Sequence, residues 1–114
     1  MKKKISELEL YEVDYFVALA ENSDASIVDK SCHIINIKDE YYGIYSPTTN
    51  PSQAWTIIER EKIELTWFDY DNCFANKAFD SDGETNNLGM NGKTSLESAM
   101  RCFACSVYGE EIEI

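Results

Sequence analysis

Apolar residues recur every three or four positions near the start of the chain, which is the spacing of an amphipathic helix. Just before them, Ser6 and Glu9 have the spacing of a capping box, in which a hydroxyl and a carboxylate satisfy free amides of the first turn. We predict a first helix over residues 7–21, with Asp14 off its apolar stripe. The stripe consists of Leu10, Val13, Phe16, Val17 and Ala20.

A second helix with the same kind of start is predicted near the end of the chain. Thr94 and Glu97 form another capping box, and Gly109 suits the C-terminal cap because glycine adopts positive φ without strain. The helix is predicted over residues 95–108. Its apolar face consists of Leu96, Ala99, Met100, Phe103 and Val107.

Between the two helices, β-branched and aromatic residues predict strands. Residues 32–37 and 41–45 flank a short polar turn and therefore indicate a hairpin. Residues 46–53 are predicted to form a loop because they are rich in Pro, Thr, Asn and Ser. Residues 55–60 and 63–68 fit either two further strands or a short helix that leads into a strand.

The remaining segments complete an α+β pattern. Residues 73–79 predict a strand, residues 80–92 a long polar loop with three glycines, and residues 111–114 an edge strand. The expected fold class is α+β, with a small antiparallel β-sheet packed on one side against two helices. The chain length of 114 residues predicts a single domain, residues 1–114.

The charge balance narrows the classes of partner. Twenty-one acidic residues against ten basic ones give a net charge of −11, which repels nucleic acid and anionic membranes. The charge serves either solubility alone or an acidic face for a basic partner. No apolar run approaches the roughly 20 residues of a membrane span, and the lysines at the start precede no apolar signal segment. We expect a protein of the cytoplasm with reduced cysteines.

The cysteines and the one histidine are the candidates for chemistry. Cys102 and Cys105 have the C-x-x-C spacing of zinc and redox sites, but they lie inside a predicted helix. A metal would need two more ligands from Cys73, Cys32 or His33. We interpret Cys102 and Cys105 as small buried apolar residues, and His33 as structural or exposed. The pattern predicts no catalytic residue, no cofactor and no metal, so we expect the protein not to be an enzyme.

The densest group of acidic residues lies between positions 69 and 84. Its spacing does not fit a calcium-binding loop, and on a strand Asp69 and Asp71 would point to the same side. The acids are predicted to contact a partner, together with two aromatic residues in or after the loop at 46–53. The predicted contact residues are Asp69, Asp71, Asp80, Asp82, Glu84, Tyr45 and Trp55.

Several runs resemble one family. They are Y-S-P-T-T at 45–49, W at 55, I-I-E-R-E-K-I at 57–63, G-K-T-S-L at 92–96, A-M-R-C-F at 99–103, S at 106 and G-E-E-I-E-I at 109–114. They are similar to segments of the NinX-like phage proteins, which accompany lambda-like phages and prophages and have no defined activity. The resemblance implies a phage or prophage product acting in the host cytoplasm. It supplies no catalytic residue.

Two departures from the family pattern matter. Cys105 stands where the family is expected to have alanine, which further disfavours a metal site. Residues 69–91 are longer and more acidic than expected. The run at 99–103 also contains Arg101, which lies off the apolar stripe and is expected either to pair with Glu59 or Glu61 or to face a partner.

Two functions from different classes follow. The leading hypothesis is a phage-encoded binding protein that inhibits a host nucleic-acid-handling defence complex, of anti-CRISPR or anti-restriction type. Its carboxylates would mimic phosphates on a basic protein or ribonucleoprotein surface, without direct contact to nucleic acid or membrane. The alternative is a non-enzymatic homodimeric accessory protein of phage DNA metabolism, associating through Tyr41, Tyr42 and Trp55.

Overall fold

The elements follow one another in an α+β order, as the sequence predicts. A computed structural model describes residues 2–21, 25–29, 34–37, 41–81 and 84–113, with backbone alone for 25–29, 34–37, 41–44, 79–81 and 84–86. The elements are β1 (Lys2–Lys4), a 3-10 turn (Ile5–Glu7), α1 (Leu10–Glu21), β2 (Ala25–Asp29), β3 (Ile34–Ile37), β4 (Tyr41–Ile44), α2 (Pro51–Glu61), β5 (Glu64–Asp69), β6 (Asn72–Ser81), β7 (Glu84–Gly92), α3 (Ser95–Tyr108) and β8 (Glu111–Glu113).

The strands within these ranges form three antiparallel sheets where the sequence predicts one. Their orders are β1-β8, β2-β3-β4 and β5-β6-β7. The hairpin predicted from residues 32–45 is confirmed by the pairing of β3 with β4, in which Ile37 is opposite Tyr41. Cys32 and His33 lie outside the described residues. The edge strand predicted at the end is confirmed as β8, which pairs with β1.

Helix α3 is the centre of the core. The predicted bounds are confirmed: the Thr94 hydroxyl accepts from the amide of Glu97 at 3.1 Å, and Gly109 ends the helix at φ +90°. Residues 98–105 are buried without interruption, because the helix packs against β6, β7, α1 and α2. The predicted single apolar face was therefore too narrow. Val107, assigned to that face, is 49% exposed.

Helix α1 begins later than predicted. Residues 5–7 form a 3-10 turn, and the carboxylate of Glu12 accepts from the amide of Glu9 at 2.9 Å. The capping interaction is thus made three residues beyond Ser6, so the predicted start at residue 7 was wrong. Asp14 is buried, because its carboxylate accepts from the amide of Thr48 at 2.9 Å and from its hydroxyl at 3.0 Å.

In the middle of the chain one alternative is confirmed and two predictions are corrected. Of the alternatives for residues 55–68, the helix leading into a strand is confirmed as α2 and β5. The loop predicted over residues 46–53 was too long, because α2 begins at Pro51, with the side chain of Asn50 accepting from the amide of Ser52. The loop predicted over residues 80–92 was wrong, because β7 pairs along its whole length with β6. None of α1, α2 and α3 is long and apolar enough to cross a membrane.

Candidate protein-interaction surface

The turn of the β5–β6 hairpin carries exposed aromatic side chains beside carboxylates. Trp67 is opposite Cys73 and Asp69 is opposite Asn72, with a bulge between Trp67 and Asp69. Oδ1 of Asp69 accepts from the amide of Asp71 at 3.0 Å, which closes a side-chain turn at the end of the hairpin. The sequence analysis placed Asp69 and Asp71 on the same side of one strand. In the structure they instead flank a turn.

Three aromatic side chains stand in the solvent at this turn. Trp67 is 53% exposed, Phe68 64% and Tyr70 97%. With Asp69 they line a shallow open depression of ≈ 510 Å³. Phe68 also approaches the ring of Phe74, with centroids 6.1 Å apart, and so is held from one side. We call residues 67–71 the hairpin tip.

Sequence reasoning missed the aromatic half of the hairpin tip. The sequence analysis predicted residues 63–68 only as a strand and gave Trp67, Phe68 and Tyr70 no contact role. A usable signal lay in the adjacency of Trp67 and Phe68, because neighbouring residues of a strand point to opposite faces of the sheet. Both cannot face the same core, and the carboxylates that follow them indicate a turn in water.

The acids of the hairpin tip pair with no cationic side chain within the described residues. Asp69 and Asp71 are exposed, and the sequence contains no lysine or arginine between Lys62 and Lys77. Lys77 is engaged elsewhere, since its ammonium lies 3.4 Å from the carboxylate of Glu61. The tip therefore presents aromatic faces and carboxylates together.

Two of the other predicted acids lie at the opposite end of the same sheet. Asp80 is opposite Thr85 and Glu84 is opposite Ser81, with only the backbone of these residues described. Asp82 lies outside the described residues. At about 3.3 Å per residue, β6 separates Asp80 from Asp71 by roughly 30 Å. The described acids of this set thus fall into two groups, the tip group (Asp69 and Asp71) and the far group (Asp80 and Glu84).

The two predicted aromatic contacts lie elsewhere. Trp55 is 58% exposed on α2, at the rim of an apolar groove of ≈ 520 Å³ where all three helices begin. Tyr45 is partly buried and packs against the core, just before a turn in which the carbonyl of Ser46 accepts from the amide of Asn50 at 2.8 Å. The structure brings neither residue to the hairpin tip.

Cys102 and Cys105 are buried, as predicted for small apolar residues, and so is Cys73. Burial, helped by the neighbouring Cys105, raises the pKa of Cys102 to about 12, and burial followed by the charge of Glu110 raises the pKa of Cys105. Protonated thiols are poor nucleophiles and poor metal ligands. Within the described residues, no three Cys, His, Asp or Glu side chains are placed to hold a metal ion.

Arg101 is a structural residue and does not face a partner. It is 7% exposed, and its Nε donates to Glu97 at 3.0 Å while a terminal nitrogen donates to the carbonyl of Ile5 at 2.7 Å. Both predicted alternatives, pairing with Glu59 or Glu61 and facing a partner, were wrong, because the guanidinium is turned to Glu97 and to the carbonyl of Ile5. Arg60 takes that place and pairs with Glu61.

The family-like runs thus build the fold: Thr48 joins the 46–50 turn to α1, and Arg101 joins α3 to the chain start. Comparison with protein families gives a match over residues 4–106 to the family described as Bacteriophage P22, NinX. The chain belongs to this family. A comparison with curated proteins finds no match. The NinX match spans nearly the whole chain, includes the hairpin tip and ends within α3, and it makes this chain a phage protein.

Proposed function

We propose that this NinX-family protein is a non-enzymatic binding protein that inhibits a host nucleic-acid-handling defence complex, of anti-CRISPR or anti-restriction type. It does so by docking its hairpin tip on a basic surface of that complex. The observation that supports the proposal is the exposure of Trp67, Phe68 and Tyr70 beside two carboxylates on one projecting turn.

The aromatic residues supply the binding energy. Exposed aromatic clusters are costly in water and mark interaction sites when they occur together. Trp and Tyr dominate the energy of protein interfaces because they bury a large area at a small cost in side-chain entropy. At the hairpin tip the backbone is fixed by the turn at Asp69 and Phe68 rests against Phe74, which lowers the cost of ordering this part of the surface on binding.

The charge supplies partner choice and speed of encounter. A protein of net charge −11 is attracted to surfaces that bind phosphate, and like charge excludes it from nucleic acid itself. The tip group then takes the place of phosphates on the partner, while the far group contributes to long-range attraction. Occupation of the phosphate-binding surface would block the host complex from its nucleic acid.

Affinity capture from host-cell lysate, followed by identification of the retained proteins, tests the proposal. Wild-type protein should retain a nucleic-acid-binding complex, and filter binding should show that this complex releases its nucleic acid as the protein is added. The Trp67→Ala variant should lose both effects. Trp55→Ala is the matched control, since Trp55 is 58% exposed against 53% for Trp67.

Two outcomes would contradict the proposal. Capture of no nucleic-acid-handling complex would remove the proposed target. Loss of capture with Trp55→Ala but not with Trp67→Ala would move the contact surface to the groove at the helix starts.

A second candidate is the homodimeric accessory protein of phage DNA metabolism. It is favoured by the position of β5, which forms an edge of its sheet within the described chain and bears two exposed aromatic residues. Exposed edges pair readily with a second copy. Sedimentation that shows a monomer at working concentration would exclude this candidate.

A further inference from the structure

We propose that the hairpin tip recognises arginine side chains on its partner and discriminates against lysine. This inference rests on the proposed function, since it names the chemistry by which the same surface selects a basic partner. The tip offers two things that a guanidinium group uses and an ammonium group uses poorly: flat aromatic faces, and carboxylates beside them.

The aromatic faces are open to a stacking cation. Tyr70 is 97% exposed and Trp67 53%, so each ring has free surface. Arginine stacks on such rings more often than lysine does, because its planar group is weakly hydrated and keeps its hydrogen-bond donors in the ring plane. The ring of Phe68 contacts the ring of Phe74. The Phe74 ring in turn lies over Gly89, at a place where any Cβ on residue 89 would overlap it. These contacts support one side of the hairpin tip.

The carboxylates complete the site. Oδ1 of Asp69 is used within the turn by the amide of Asp71, while no hydrogen bond to Oδ2 of Asp69 occurs in the described part of the chain. A guanidinium lying on the neighbouring ring can donate to this oxygen and to Asp71 with its remaining N–H groups.

The protein already holds one of its own arginines in this way. The guanidinium of Arg60 lies 5.7 Å from the ring centroid of Phe103 and pairs with Glu21 at 2.6 Å and with Glu61 at 2.9 Å. The hairpin tip brings together the same kinds of group, with three rings and Asp69 lining one depression and Asp71 next to Tyr70 in the chain. Arg101, the other arginine of the chain, is buried against Glu97 and does not reach it.

This chemistry commits the site to a protein partner with arginines on a phosphate-binding surface. A lysine-rich surface would be attracted by the net charge of the protein but would gain little binding energy from stacking on the aromatic rings. Calorimetric titration with two synthetic peptides of equal length and charge, one arginine-rich and one with every arginine replaced by lysine, separates these cases. The arginine peptide should bind about tenfold more tightly at moderate salt.

Variants at the tip locate the preference. Tyr70→Leu and Trp67→Leu keep an apolar side chain but remove the ring, and each should bring the arginine-to-lysine affinity ratio towards one. Asp69→Asn with Asp71→Asn should weaken both peptides. Trp55→Leu, on the other exposed tryptophan, should leave the ratio unchanged.

Equal affinities of the wild-type protein for the two peptides would overturn the inference. An arginine preference that survives both Tyr70→Leu and Trp67→Leu would overturn its placement at the hairpin tip. The proposed function fails separately: a tip-dependent arginine preference in a protein that captures no nucleic-acid-handling complex would keep the recognition chemistry and discard the target.

Discussion

Arg101 and Arg60 each pair with carboxylates, and their different burial predicts very different contributions to stability. The side chain of Arg101 is 8% exposed and that of Arg60 44%. Arg101→Ala should destabilise the fold strongly, whereas Arg60→Ala should have a small effect. The comparison uses the only two arginines of the chain, so residue type is matched.

The magnitudes follow from what each substitution leaves behind. Loss of Arg101 leaves the carbonyl of Ile5 without its donor in the core and removes the ion pair of Glu97, which among the described residues keeps only the amide of Lys93; breaking a largely buried pair in this way costs about 3–5 kcal/mol. Exposed ion pairs contribute about 0–1 kcal/mol because water screens them, and the ring of Phe103 under Arg60 adds about 0.5 kcal/mol.

Arg101→Lys refines the test, because an ammonium keeps the charge but lacks the planar fork. It cannot reach Glu97 and the carbonyl of Ile5 with the same geometry, so about 1.5–3 kcal/mol should be lost. Urea unfolding followed by circular dichroism measures all three variants. Agreement of Arg101→Ala and Arg60→Ala within about 1 kcal/mol, or a neutral Arg101→Lys, would contradict a structural role of the buried Arg101 fork.

Two further predictions follow from the core. Gly92→Ala should cost about 1–3 kcal/mol in urea unfolding, because a Cβ there would lie 2.6 Å from the amide nitrogen of Ser98 in α3; unchanged stability would show that the strand shifts freely. The raised pKa of Cys102 and Cys105 predicts stability that is complete below the ordinary thiol pKa of 9.0 and is lost as pH rises towards about 12. The Cys102→Ala variant should lose less stability over that range, as thermal melts at successive pH values would show.

The sequence was most informative where structure is specified locally. The bounds of α3 were predicted correctly because its start and end are set by Thr94 and Gly109 within one turn of the helix. The start of α1 was missed by three residues, because the sequence offers two capping pairs, Ser6 with Glu9 and Glu9 with Glu12. The structure uses the second pair, and Ile5, in the turn before it, is buried in the core.

Strand β7 shows why the rest could not be predicted. Its asparagines and glycines favour loops, yet each of its residues pairs with β6, and Gly89 and Gly92 are needed for close approach to Phe74 and α3. Strand pairing here overrides the loop preference of the individual residues, and the sequence of β7 shows no sustained alternation of apolar and polar residues that would predict a strand. The hairpin tip could likewise be predicted only in part. Its acids were predicted as contact residues, but the exposure of its rings depends on which part of the sheet the helices cover.

The most direct test of the account compares two double charge reversals at opposite ends of β6. Asp69→Lys with Asp71→Lys alters the tip group, and Asp80→Lys with Glu84→Lys alters the far group while changing the net charge equally. Affinity for the captured host complex is measured at low and high salt. We predict a loss at least about tenfold greater for the tip variant, persisting at high salt because contacts are lost, whereas the far variant should recover under screening. Equal losses that both vanish at high salt would contradict a contact surface at the hairpin tip.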